Sequence, residues 1–285
     1  MTTATSPVVQ GWELGLRLRE RREQLGFTAS VVAKQIACTQ TFISMTEAGR
    51  PKLTETRLAQ LCRLYDIDSG EAGELEQLRR GANQKAWWQE YSGLFSAELQ
   101  RYFGFEAGAE QVRSYHTEVV HGLLQTEDYA RAVIAGGSPH IRLTEVDRRV
   151  AARMLRQSRL FDDNPLQVSC VLSQSALLQQ VGGTAVMRSQ LDHLADLCTE
   201  RSVEIRIAPF SVGAHPALGA PFEILSFHST RLRDIAWQEV LTTTDIVDAP
   251  DQVNEFVATF GEVARRALDP SESVDLIRKT ARELE

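Results

Sequence analysis

The pattern of apolar and polar positions changes character along the 285-residue chain. Up to residue 80, apolar side chains recur at helical spacing in short blocks separated by turn residues, which predicts five helices. Beyond residue 105, strand-like alternation such as that of Val203–Ile207 lies between longer helical stretches. The predicted fold class is therefore multi-domain: an all-α five-helix helix-turn-helix head followed by an α+β (mixed α/β) C-terminal domain.

The segment from Thr28 to Arg50 predicts the helix-turn-helix itself. Thr28 and Thr39 can each cap a helix, because a threonine oxygen can accept from the free N–H groups of a first helical turn. The second helix places Ile43 on its inner side, and the small Ala37 suits the tight turn between the two helices. In such a motif the second helix lies in the major groove of DNA.

Polar side chains on the outer side of this second helix are expected to face the bases: Thr39, Gln40, Thr41 and Ser44. Glutamine can bond adenine at two atoms and threonine can contact a thymine methyl, so the base preference is expected to favour A·T positions. Arg50 and Lys52 follow the helix in a loop, where flexible cations suit phosphate contacts.

Four segments are predicted along the chain. Residues 1–10 form a disordered tail, 11–80 the DNA-binding head, 81–92 a linker, and 93–285 a regulatory and dimerisation domain that ends in helices. The linker contains adjacent tryptophans, Trp87 and Trp88, which point to different helix faces. Both can be buried where two surfaces press on the segment, as at an inter-domain or inter-subunit seam; ordinary core packing is an equal alternative.

Finer elements follow from the same patterns. The first helix is expected over 12–25, with its arginines on a solvated face paired with neighbouring glutamates. In the second domain, strands are expected at 111–120, 167–172, 203–207, 221–227 and 234–241. Helices are expected at 127–135, 145–161, 184–199, 251–268 and 271–284, with Thr126 and Thr144 as caps of the first two.

The charge is distributed unevenly. The net charge is −7, but residues 1–66 carry a net +3 and the remainder −10. A mildly basic head on an acidic body fits DNA binding by the head alone. The first ten residues lack the features of a signal peptide, no apolar run reaches the ~18 residues of a spanning helix, and the four cysteines are isolated. A cytoplasmic protein without membrane contact, metal or cofactor is expected.

The head resembles the phage-repressor-like (Cro/C1, or XRE) regulators. The resemblance runs from Leu14 to Leu64 and includes the ending Glu47-Ala-Gly49-Arg50. It implies that Gly49 stops the second helix, and it adds Ala29 and Met45 to the expected DNA-contact positions. The family often has glycine where Ala37 stands.

The second domain resembles the C-terminal domain of the WhiJ-like and AbaA-like regulators of filamentous actinobacteria. The resemblance rests on Trp87-Trp88, the Gly122–Ala130 segment, Val181-Gly-Gly183, and Gly213-Ala-His215 with Phe222. It implies a transcriptional regulator, often encoded beside a small partner protein in an antitoxin-like pair. It does not supply a ligand.

Catalytic chemistry is not expected, because no nucleophile, phosphate-binding or metal motif is present. His116 and His121 lie five residues apart, on opposite faces if that stretch is a strand, which would be a poor metal arrangement. A binding site for a ligand or partner is expected among aromatic and polar residues near turn-rich segments, with Trp87 and Trp88 carrying the change to the head. Its predicted members are Tyr115, Gln125, Tyr129, His215 and Phe222.

The function predicted from the sequence is a DNA-binding transcriptional regulator. A homodimer is expected to bind an inverted repeat, because one head covers a half-site. The second domain is expected to sense a small molecule or a small acidic partner protein. The alternative is an antitoxin-like interaction module in which DNA binding serves autoregulation only.

Overall fold

The computed structural model describes residues 6–50, 52–137, 141–200, 202–240 and 243–284. The chain forms two compact units, a head that ends at Gln89 and a second unit that begins at Glu90. Throughout its described residues the head is helical, whereas the second unit combines a mixed sheet with helices. The predicted fold class is confirmed.

Five helices make up the described part of the head. They are α1 (Pro7–Gln24), α2 (Ala29–Gln35), α3 (Gln40–Glu47), α4 (Glu55–Leu64) and α5 (Ser69–Ala82). Their apolar faces meet in one core that contains Leu14, Leu18, Val32, Ile43, Leu61 and Tyr65. The predicted caps are confirmed, because Thr28 accepts from the N–H of Val31 and Thr39 from that of Phe42.

The first helix begins earlier than its apolar pattern indicates. Ser6 accepts a hydrogen bond from the N–H of Val9 at 3.2 Å, and Pro7 occupies the first helical position, where its missing N–H costs nothing. The prediction of a disordered tail is therefore wrong for residues 7–10. Residues 1–5 lie outside the described residues.

The arginines of α1 are not simply a solvated face. Arg17 is buried, and its guanidinium donates to Glu71 at 3.2 Å and to Glu74 at 2.9 Å on α5. Arg19 does pair with Glu23 at the surface, as expected. The prediction is wrong for Arg17 because α5 packs along α1 and presents carboxylates to it, a tertiary contact that the local pattern does not contain.

The second unit is built on a sheet with strand order β3-β2-β1-β4-β5-β6 over the described residues. Strands β1 and β2 are parallel, as are β2 and β3, whereas β4, β5 and β6 extend the other edge in antiparallel pairing. The strands are β1 (Gln111–His116), β2 (Gln167–Ser173), β3 (Val203–Ala208), β4 (Phe222–Ser226), β5 (Ile235–Glu239) and β6 (Thr244–Val247).

Helices accompany this sheet. They are α6 (Ala97–Gly108), α7 (Glu127–Gly137), α8 (Leu143–Arg156), α9 (Ser175–Leu178), α10 (Thr184–Leu197), α11 (Pro250–Arg266) and α12 (Pro270–Glu283). Four 3-10 turns complete the described secondary structure, at Trp87–Tyr91, Gly122–Leu124, Gln157–Leu160 and Phe210–Val212. None of the described helices combines the length and the apolar character needed to cross a membrane.

Three details of the second unit differ from expectation. Strand β1 ends at His116 because Val120 uses its backbone differently: its N–H donates to the hydroxyl of Tyr129 and its carbonyl accepts from the amide of Gln125. Helix α8 begins at Leu143, so the predicted cap at Thr144 is wrong, and it ends at Arg156. The short strand β6 has no counterpart among the predicted elements.

Candidate functional site

The turn between α2 and α3 is the first feature of the DNA-binding motif. Ala37 adopts a left-handed conformation, with φ of 52°, that favours glycine. The guanidinium of Arg57 on α4 donates to the carbonyl of Ile36 and, at 3.4 Å, to that of Ala37. Arg57 thus satisfies carbonyls left free where α2 ends, which fixes the entry into α3.

The outer face of α3 is open to solvent. Ile43 and Thr46 are buried, whereas Met45 is 43% exposed. The predicted base-facing residues are exposed without exception: Thr39, Gln40, Thr41 and Ser44. The face that the sequence assigns to DNA is therefore accessible.

The remaining predicted DNA contacts lie around α3. Arg50 and Lys52 are exposed, and Ala29 at the start of α2 is half-buried. The ammonium of Lys52 lies 3.5 Å from the carbonyl oxygen of Asn83, at the limit of hydrogen bonding. Contact of these residues with DNA stays a prediction.

Close packing and an ion pair fix α3 against α1. A Cβ built on Gly15 would lie 2.6 Å from the carbonyl oxygens of both Thr46 and Glu47, so only glycine fits there. A Cβ on Gly49 would lie 2.7 Å from the backbone of Trp12, and Gly49 has a φ of +69°. The side chain of Glu47 also accepts two hydrogen bonds from Arg22.

The ligand residues expected in the second unit do not form one group. The hydroxyl of Tyr115 lies 3.3 Å from Nε2 of His215, and the two rings are close to each other. The ring of Tyr115 also lies near that of Phe222. Tyr129 is fully buried, with its hydroxyl bonded to backbone. Gln125 and Phe222 are the members that line a cavity of this unit. Trp87 and Trp88 meet edge to face, with ring centroids 5.6 Å apart.

The cavity has a volume of about 490 Å³, within the range of ~300–1,000 Å³ typical of small-molecule sites. It lies entirely among residues of the second unit. Much of its wall is apolar or aromatic, including Leu99, Phe103, Ile134, Ile141, Phe222 and Trp237.

One face of α8 contributes three arginines to this wall, Arg149, Arg153 and Arg156. Their spacing of four and three residues places them on one side of a helix. Arg156 donates to Glu106 at 2.8 and 2.6 Å, and Arg149 donates to Glu145 at 3.1 Å. This spacing is visible in the sequence, although it does not by itself indicate a cavity.

Arg153 differs from its two neighbours. It donates to the side-chain oxygen of Gln125 at 2.7 Å, and no carboxylate of the described chain forms an ion pair with it. Burial lowers the pKa of Arg153 to about 10, with the nearby charge of Arg156 as the next cause. The side chain remains cationic at neutral pH, at a cost in desolvation.

A second polar cluster borders the cavity. Glu223 on β4 accepts from the hydroxyl of Tyr102, and its Oε1 lies 3.3 Å from Nε2 of His121 and 3.6 Å from Nε2 of His116. Burial alone would raise the pKa of Glu223, but His121 and His116 hold it well below its usual range. Burial and then the proximity of His121 lower the pKa of His116 to about 4.

The two histidines do not share a strand, so the condition for placing them on opposite faces is not met. His121 lies beyond the end of β1, where the chain turns back, and the two ring centroids are 5.0 Å apart. With Glu223 they form a set of donor types that could hold a metal ion, with the nearest donor atoms within 4.8 Å.

Proton placement on His121 does not suit a metal. The N–H of Leu123 donates to Nδ1 of His121 at 3.1 Å, so the neutral ring carries its own proton on Nε2. A metal bound at Nε2 would require that proton on Nδ1, opposite the Leu123 N–H. The cluster is therefore better suited to hold Glu223 ionised, with Tyr102 and His121 facing the carboxylate.

These features define a helix-turn-helix regulator with a cavity-bearing second unit. Residues 13–83 match the model of a helix-turn-helix domain, and residues 99–279 match the model of a domain of unknown function, DUF5753. The second match covers more than half of the chain, and the protein belongs to the DUF5753 family. No curated protein and no solved structure matches the chain.

Proposed function

We propose that this protein is a sequence-specific transcriptional regulator of the Cro/C1 type, in which α3 reads base edges in the major groove. The proposal is supported above all by one observation: α3 has an exposed polar face, and its opposite side is fixed to α1. Gln40 and Thr41 would contact base edges, and Arg50 and Lys52 would contact phosphates.

A homodimer on an inverted repeat is part of the same proposal. The sequence has no lysine or arginine between Lys34 and Arg50, so a single head is expected to bind weakly. Two heads joined through their second units would bind together, because the second contact gains from a high effective concentration. Light scattering at micromolar concentration should give twice the chain mass, and a monomer that binds a half-site tightly would contradict this arrangement.

The second unit is proposed to receive a signal. Its cavity offers apolar walls and a few oriented polar groups, as binding sites for small molecules do. A small partner protein of the antitoxin-like pairs is the other proposed source of the signal. We assign no catalytic step to the chain. An effector changes DNA binding only if it binds the DNA-competent and incompetent states unequally.

Fluorescence anisotropy with the duplex upstream of the protein's own gene tests the DNA-binding proposal. The full chain should bind this duplex at least about tenfold more tightly than a shuffled duplex of the same composition at the same salt concentration. Equal affinity for the two duplexes would contradict sequence-specific regulation. Gln40→Ala should reduce the difference, whereas Gln89→Ala, an exposed glutamine far along the chain from α3, should preserve it.

A further inference from the structure

One arginine of the cavity wall in the second unit, Arg153, forms no ion pair with a carboxylate of the described residues. Arg149 and Arg156 form ion pairs with Glu145 and Glu106. Over the described residues, the only hydrogen bond of the Arg153 guanidinium is to a neutral amide, that of Gln125. A buried cation without an ion-pair partner is costly, and an incoming anion would offset that cost.

Gln125 orients the guanidinium of Arg153 within the cavity wall. Its amide nitrogen donates to the carbonyl of Val120 at 2.7 Å, and its amide oxygen accepts from Arg153 at 2.7 Å. The backbone carbonyl of Gln125 accepts in turn from Gln157, also at 2.7 Å. Because each group has a definite partner, the guanidinium is oriented before any ligand arrives, which reduces the entropic cost of binding.

The acids of the cavity wall leave this cation available. Glu223 faces Tyr102 and His121, and no arginine within the described residues forms an ion pair with it. Glu239 lies at the end of β5, where it is exposed to solvent, and in the described chain it forms no ion pair with Arg153. Burial, followed by the nearby charge of Glu223, raises the pKa of the Glu239 carboxyl, against the attraction of Arg153 and Arg156 for its charged form.

The remaining residues of the cavity wall indicate which groups the bound anion should have besides its charge. Phe103 and Trp237 offer aromatic surface, and Ile134 and Ile141 offer aliphatic surface, in the same cavity as Arg153. A small inorganic anion would leave these side chains uncovered. A molecule with one acidic group and an apolar ring system would cover them and gain from the burial of apolar area.

We propose that the cavity binds a small organic monoanion with an aromatic or alicyclic body, whose acidic group pairs with Arg153. Gln125 acts as a positioning residue for the guanidinium. This inference deepens the proposed signal-receiving role of the second unit and rests on it for its regulatory meaning, although the binding itself can be measured without DNA.

Isothermal titration calorimetry on the full chain tests the ligand class with three probes of one shape. The probes are 2-naphthoate, neutral 2-naphthamide and cationic 2-naphthylmethylammonium. The wild-type protein should bind the carboxylate about tenfold or more tightly than either counterpart. A hydrogen bond to a charged group is enough to raise the binding affinity by about a factor of ten. Equal binding of the three probes, or no binding of the carboxylate, would overturn the proposal.

Two variants and a control locate the binding. Arg153→Met should remove the preference for the carboxylate, and Arg153→Lys should retain part of it. Arg148→Met removes one arginine from the exposed side of the same helix and should leave the preference intact. Loss of the preference in the control alone would overturn the assignment to Arg153, and thermal unfolding of each variant establishes that it is folded.

Anisotropy with the upstream duplex separates this inference from the proposed function. Binding of 2-naphthoate through Arg153 by a protein that does not bind DNA specifically would support the site and contradict the regulator. Specific DNA binding without carboxylate binding would support the regulator and overturn the site.

Discussion

Arg22 on α1 donates two hydrogen bonds to the carboxylate of Glu47, the last residue of α3, from Nε at 2.6 Å and from Nη2 at 2.8 Å. The two side chains are only 11% and 9% exposed. The Arg22 guanidinium also donates to the carbonyl of Phe27 at 2.7 Å. The pair therefore connects the end of the proposed recognition helix to α1 and to the loop before α2.

Breaking this pair should destabilise the head. Glu47→Gln removes the charge while it keeps the shape, and it should cost about 3 kcal/mol, because the buried Arg22 then keeps only the exposed Glu23 as an ionic partner. Urea unfolding should show this loss. The matched control is Arg19→Gln, which breaks only the exposed pair with Glu23 and should cost at most about 1 kcal/mol. Equal losses in the two variants would mean that Glu47 has no special role.

Substitution of Gly15 tests the contact between α1 and α3. Gly15→Ala would place a methyl group against two carbonyl oxygens at 2.6 Å, so the helices must separate. We expect lower stability and weaker DNA binding, although Gly15 lies on α1 and not on the outer face of α3. Gly73→Ala is the control, because nothing lies within 4 Å of its added Cβ. In an open helix position, alanine should stabilise by about 0.5–1 kcal/mol. A stabilising Gly15→Ala would contradict the close approach.

The salt dependence of DNA binding tests the assignment of Lys52. A phosphate contact contributes roughly 0.9 to the slope of log affinity against log salt concentration. Lys52→Ala should lower that slope by about one and should weaken all duplexes equally. Lys279→Ala, which removes an exposed lysine from α12, should leave the slope unchanged. A changed base preference at an unchanged slope would assign Lys52 to the bases instead.

The pKa of His116 predicts acid sensitivity of the second unit. The unfolded side chain has a pKa near 6.5, and burial, followed by the proximity of His121, lowers the folded pKa to about 4 against the opposing effect of Glu223. The unfolded state therefore binds more protons between these values, and stability falls as the pH falls from about 6.5 to about 4. His116→Asn should flatten this part of the stability profile measured by urea unfolding. A profile that His116→Asn leaves unchanged would contradict this origin of the acid sensitivity.

Much of the head could be predicted from local sequence. The threonine caps, the inward Ile43 and the glycine at the end of α3 each depend on a residue and its near neighbours. The Arg22–Glu47 pair could not be predicted in the same way, because its members are 25 residues apart. The start of α1 at Pro7 could have been predicted from the Ser6-Pro7 dipeptide, which is a helix-cap signal even though no apolar pattern accompanies it.

The second unit contains features that cannot be predicted from local sequence. Most strands and helices follow their periodicity, and Gln125 and Phe222 do lie in the cavity wall. The cavity itself depends on α6, α8, β4 and β5, which only the tertiary fold brings together. The missing ion pair of Arg153 also depends on the tertiary fold, since three arginines at helical spacing look alike in the sequence until their partners are known.

Selection of binding sites from a pool of random duplexes tests the central claim most directly. The full chain should enrich an inverted repeat with A·T pairs at positions that α3 reads, and Gln40→Ala should lose the preference at one position in each half-site while the spacing persists. Enrichment of the same sequence by the wild-type and Gln40→Ala proteins, or no enrichment by the wild type, would contradict the assignment of α3 as the recognition helix.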